Sequence, residues 1–148
     1  MSEQAGRLSG MIHNEIGDDD DDEEERRVDI IKVKGSALKY VVEFCTYYSD
    51  VEGMTPIHTP IQSVKVEEHV QQWYVHFISG VHQDHHLFEL VKAANYMDIQ
   101  PLLQLACFKV AVAMKGLKRD QILDMFHLGS ELTEDERRNI EDENRLVR

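Results

Sequence analysis

The sequence predicts a helix-rich α+β fold, and three observations carry that expectation. Apolar residues recur at three- and four-residue spacing through most of the chain. One β-branched run, Val28 to Val33, is the only convincing strand. The block Leu87 to Cys107 reads as a helix, a tight corner and a second helix.

In chain order, Leu8 to Ile16 is a weak helical segment with Leu8, Met11, Ile12 and Ile16 on one side. Eight consecutive acids follow, Asp18 to Glu25; they repel one another and bury nothing, so they read as a solvated spacer loop. Val28-Asp29-Ile30-Ile31-Lys32-Val33 is the strand, and a single strand leaves its amides and carbonyls without a ladder unless another pairs with it. Ser36 is placed to cap a helix whose Leu38, Val41, Val42 and Cys45 share a face. Ser49 to Ser63, with Gly53, Pro56 and Pro60, is a long loop. Val66, Val70, Trp73 and Phe77 form another helical stripe. Leu87, Leu90, Val91 and Ala94 form the stripe of the next helix. Asp98 and Pro101 then mark a new start, since proline is tolerated where a helix needs no amide donor. A segment from Arg119 to Phe126 and a helix opened by the Thr133/Glu136 capping box complete the chain.

The 148 residues suit one ordinary domain. The net charge of −12 is concentrated: residues 1–27 hold 10 acids and 3 bases. An acidic chain without a basic stripe repels phosphates, which argues against nucleic-acid and anionic-membrane partners. Cys45 and Cys107 both lie in apolar helical patterns, where a thiol behaves as a small buried hydrophobe. The first ten residues lack a signal peptide's apolar centre, and no apolar run approaches the roughly 20 residues that span a bilayer. A soluble intracellular protein is expected.

No nucleophile with a paired base, phosphate loop or acid pair stands out, so no catalytic residue, cofactor or small-molecule substrate is expected. His82, His85 and His86 carry the best enzyme alternative, a metal site, but without an H-E-x-x-H pattern they read as solvated histidines, and no metal ligand is assigned. The segment Pro101 to Met114 is apolar on most of its circumference. By pattern alone it is as consistent with a partner surface as with helices that bury one another.

The block L-F-E-L-V-K-A-A-N-Y-M-D-I-Q-P-L-L, Leu87 to Leu103, resembles the S-phase-kinase-associated adaptor family of SCF ubiquitin ligases, whose members carry L-F-E-L-x-x-A-A-N-Y-x-D-I-x-x-L-L. The similarity continues in C-x-x-V-A-x-x-x-K-G from Cys107 to Gly116, in Gln121-Ile122 to Phe126, and in Leu132-Thr133-Glu134 to Glu143-Asn144. Upstream it includes V-E-F-C-T from Val42 to Thr46, so it covers nearly the whole chain from Leu8.

The resemblance implies a BTB/POZ-like domain over residues 28–114 with additional C-terminal F-box-binding helices over 115–148. An N-terminal helix remnant at 1–17 and the acidic loop at 18–27 precede them. It implies a non-enzymatic adaptor that bridges F-box proteins to a cullin scaffold in ubiquitin-dependent degradation, in cytoplasm and nucleus. Asn95 and Tyr96 match the cullin-facing pair. Leu103, Cys107, Val110, Met114, Ile122, Phe126, Ile140 and Leu146 match the F-box-facing positions. Three departures are visible. Members begin with a β-hairpin ahead of the position of Leu8, which this sequence lacks. Leu146 stands where members usually have tryptophan, and Glu134 where some carry a hydroxylated proline. The first two motivate an alternative, an F-box-binding adaptor-like protein that does not engage a cullin.

Overall fold

Every regular element among the described residues is helical. The computed structural model describes residues 1–17, 27–81 and 85–125, with residues 138 and 142, and the chain divides into two compact units, 1–116 and 117–148. In the first unit the elements are α1 (Glu3–Gly6), α2 (Gly10–Ile16), α3 (Gly35–Asp50), α4 (Gln72–Gly80), α5 (His85–Tyr96) and α6 (Gln100–Met114). A 3-10 turn at Val66–Glu68 precedes α4, and the second unit contributes α7 (Arg119–Met125).

The first two helices form where serines cap them. Ser2 Oγ accepts from the Ala5 amide and Ser9 Oγ from the Ile12 amide, each satisfying a donor that the first helical turn leaves over. α3 buries Ala37, Val41, Phe44 and Cys45, an i, i+4, i+7, i+8 stripe. That face lies one step round from the expected one, because Ala37 and Phe44 take core positions and leave Leu38 and Val42 half-buried. Ser36 is not the cap: the helix begins at Gly35, and the Lys34 carbonyl accepts the Leu38 amide at 2.9 Å.

The α+β expectation is corrected at residues 28–33. Among the described residues this run forms no strand. Val28, Ile30 and Val33 are half-buried against the core, while Ile31 is 88% exposed. The β-branched run keeps its alternation but finds no ladder partner, and a turn at Ile31–Lys32 ends it.

The stripe from Val66 to Phe77 is likewise not one helix. The chain breaks at His69–Gln71, where the His69 ring bonds the Ser63 carbonyl at 2.9 Å and packs edge-on against Phe108. Gln71 reaches back to the long loop, donating to the Gly53 carbonyl at 2.8 Å and accepting the Thr55 amide at 3.0 Å. α4 then buries Tyr74, Phe77 and Ile78, and Trp73 stacks on Tyr47 with ring centroids 3.8 Å apart. Tyr74 is fully buried; its hydroxyl donates to the Glu52 carbonyl, and burial holds it above the ordinary tyrosine pKa.

At the centre α5 packs on α3 and α6. Leu87, Leu90, Ala93 and Ala94 of α5 meet Leu102, Leu105, Ala106 and Phe108 of α6 in one apolar cluster with Val41, Phe44, Cys45 and Ile78. No helix among the described residues is long and apolar enough to cross a membrane. The Thr133/Glu136 capping box and His82 lie outside the described residues.

Candidate protein-binding site

The corner between α5 and α6 follows from local chemistry. The Met97 amide donates to Ala93 at 2.9 Å, the Asp98 amide to Asn95 at 3.2 Å and the Ile99 amide to Ala94 at 2.9 Å, closing the last turn of α5. Asp98 sits at φ 51°, the left-handed conformation that aspartate tolerates better than most residues. Asp98 is therefore the pivot of the corner and not the cap of α6. Ile99 occupies the cap position, and Pro101 enters in the first turn of α6.

This turn leaves Asn95 and Tyr96 outside. Met97 and Ile99 beside them are buried at 1% and 0% exposure, whereas Tyr96 is 37% exposed. The Lys32 ammonium lies 5.6 Å from the Tyr96 ring centroid, a cation–π contact from the segment before α3. Lys34 of the same segment pairs with Glu89 of α5 at 3.2 Å, and Lys92 pairs with Glu89 at 2.7 Å. The corner thus presents an amide, a phenol and an ammonium together with exposed apolar Ile31 on the adjoining turn.

The Lys92 hydrogen bond, followed by that from Lys34, lowers the Glu89 pKa from its ordinary 4.5. A depressed carboxylate stabilises the fold above its unfolded pKa and loses that contribution as pH falls through the folded value. Glu89→Gln is accordingly expected to lower the melting temperature slightly at neutral pH. Thermal melts should show the difference disappearing well below pH 4.5.

A second surface runs along α6. At 3.6 residues per turn, Leu103, Cys107, Val110 and Met114 fall on one side. Leu102, Leu105 and Ala106 fall on another and are fully buried. Leu103, Val110 and Met114 are half-buried and Cys107 is exposed, so a four-residue apolar row is left incompletely covered. The expectation of two buried thiols therefore holds for Cys45 and is corrected for Cys107. A helix apolar all round does not reveal which side the core takes.

Burial pushes the Cys45 thiol up to about 12, and partial desolvation raises Cys107 less far. Both are protonated at neutral pH, so exposure decides their reactivity. Iodoacetamide is expected to modify Cys107 well before Cys45, as read by peptide mass spectrometry.

A model of the Skp1 family, dimerisation domain, matches residues 100–146. The S-phase kinase-associated protein 1 homolog of Tetrahymena thermophila is 30% identical over 145 residues, 98% of this chain and 84% of the relative. The chain belongs to the Skp1 family. The Skp1-related protein of Caenorhabditis elegans is 32% identical over 144 residues, 93% of this chain and 78% of the relative. The E3 ubiquitin ligase complex SCF subunit sconC of Arthroderma otae is 31% identical over 144 residues, 97% of this chain and 84% of the relative.

In this Skp1-family chain Asn95 and Tyr96 share the exposed corner, and Leu103, Cys107, Val110 and Met114 share one row of α6. Ile122 is half-buried on α7 of the second unit. The Lys118 amide donates to Gln121 Oε1 at 2.9 Å and closes the first turn of that helix. Phe126, Ile140 and Leu146 lie outside the described residues. Among the described residues no three His, Cys, Asp or Glu side chains converge as a metal site. Sequence reasoning missed Lys32, whose contact with Tyr96 spans 64 positions and leaves no local signal.

Proposed function

We propose that this chain is the adaptor subunit of an SCF-type E3 ubiquitin ligase of cytoplasm and nucleus. In this reading it holds F-box substrate receptors along the α6 row and the helices after it, and a cullin scaffold at the Asn95–Tyr96 corner. The chain does no chemistry itself. It speeds ubiquitin transfer by proximity and orientation, converting an encounter of separate molecules into a reaction within one assembly. Residues 28–114 correspond to the BTB/POZ-like part of such an adaptor, and residues 115–148 to its F-box-binding helices.

Membership of the Skp1 family, with a relative named as an SCF subunit, carries the reading. The geometry supports it by offering two surfaces of different chemistry. The corner is small and polar-tipped, with tyrosine supplying rigid area and asparagine able to satisfy a partner's backbone. The α6 row is apolar and continuous, suited to a helix laid along it and driven by burial of apolar area.

The direct test is affinity capture of the tagged chain from cell extract with partner identification by mass spectrometry. F-box proteins recovered together with a cullin are the expected result. F-box proteins without any cullin would remove the corner's assigned role, and recovery of neither class would overturn the adaptor reading.

A further inference from the structure

The corner that carries Asn95 and Tyr96 is held by more than its own turn. Ser9 is the buried polar residue of the described core, at 1% exposure, and its hydroxyl serves two partners. It accepts the Ile12 amide at 3.2 Å and donates to the Met97 carbonyl, 88 positions away. The next two amides follow the same path: Gly10 donates to the Asp98 carbonyl at 3.1 Å and Met11 to the Met97 carbonyl at 3.3 Å. Residues 9–11 therefore engage the carbonyls of both residues that follow Tyr96.

Those carbonyls belong to a helix end, where intrahelical partners run out, and Asp98 is held at φ 51°. Such a conformation persists only where its surroundings over-determine it. The approach is close enough to restrict residue 10. A Cβ built on Gly10 would meet the Asp98 carboxylate and lie 3.1 Å from Asp98 Cβ. A side chain there must turn the Asp98 carboxylate aside and push Asp98 Cβ back by a few tenths of an ångström, a load on the residue whose backbone closes the corner beside Tyr96.

We infer that Ser9 and Gly10 are positioning residues for the Asn95–Tyr96 pair, so that the start of α2 sets the orientation in which the corner meets its partner. The inference rests on the proposed role of the corner in cullin binding. Its logic is mechanical: Tyr96 is 37% exposed with a ring contact from Lys32, so the backbone immediately after it is a main determinant of where the ring points. Loosening Met97 and Asp98 leaves the partner-facing side chains present but misplaced, which costs affinity without removing a contact group.

The test measures the affinity of the full-length chain for a cullin N-terminal fragment and, separately, for an F-box protein, by calorimetry. Gly10→Ala and Ser9→Ala are each expected to weaken cullin binding about tenfold while F-box binding stays within about twofold. Ser9→Thr, which keeps the hydroxyl, should retain cullin affinity. Asp98→Gly added to Gly10→Ala should restore it, since glycine removes the obstructing side chain and accepts the left-handed backbone.

Equal losses for both partners, or failure of both rescues, would show a purely structural tie and overturn the inference. The controlling variant is Asn95→Ala with Tyr96→Ala: if it leaves cullin binding intact, the corner's assigned role has failed instead. If Gly10→Ala does not fold, the Ser9→Ala and Ser9→Thr pair decides the matter alone.

Discussion

Replacing Asn95 and Tyr96 together by alanine is expected to weaken cullin binding about 100-fold, while F-box binding stays within about twofold. The size follows from the kind of surface removed. Tyrosine is among the residues that dominate interfaces, because it buries a large rigid area at little conformational cost and offers one hydrogen bond. Truncating Tyr96 also removes the ring face that lies 5.6 Å from the exposed Lys32 ammonium. The fold should survive, because neither side chain is buried and the helix ends on either side are held by Met97 and Ile99 in the core. Calorimetry against each partner, with a thermal melt as control, reads the result.

The second large effect is the mirror image. Val110→Asp with Met114→Asp places two carboxylates on the apolar row of α6, one turn apart. Burying an unpaired charge costs several kcal/mol even after relaxation, so F-box binding is expected to fall about 1,000-fold, beyond detection in most assays. Both positions are only half-buried in the free chain, so the charged groups can reach solvent until a partner covers them. Cullin binding at the corner should be unaffected. Losses in both partners for both double variants would contradict two separable surfaces.

The helices that carry these surfaces were legible in the sequence, and the reason is periodicity. Of the stripe Leu87, Leu90, Val91 and Ala94, three are fully buried and Val91 is half-buried against the same core, and Pro101 marks the first turn of α6. Ambiguity entered where local preference and tertiary demand diverge. Val28 to Val33 has the composition of a strand, yet without a partner strand its alternation survives only over Val28 to Ile31, in chain without regular structure that then turns at Ile31–Lys32. Val66 to Phe77 has helical spacing, but His69 and Gln71 use their side chains to fasten the preceding loop and interrupt the helix. α6 is apolar on nearly all sides, so its pattern could not tell that Leu102 and Leu105 face the core while Cys107 faces outward.

The candidate site divides along the same line. Asn95 and Tyr96 sit in a motif whose corner geometry could be anticipated from Asp98 and Pro101. The support beneath it could not. A Ser9 cap is a local signal that a search for helix starts would find. The closeness of Gly10 to Asp98 joins positions 88 apart and exists only in the fold. The residues expected to bind partners are thus read from sequence more readily than the residues expected to hold them in place.

An adaptor of this kind holds two partners at once on separate surfaces. The most direct measurement is reconstitution of the full-length chain with an F-box protein and a cullin N-terminal fragment, with masses read by light scattering coupled to size exclusion. A single species containing one copy of each is expected, with cullin retained by the F-box protein only when this chain is present. Mutually exclusive binding, or an F-box complex that never takes up cullin, would contradict it.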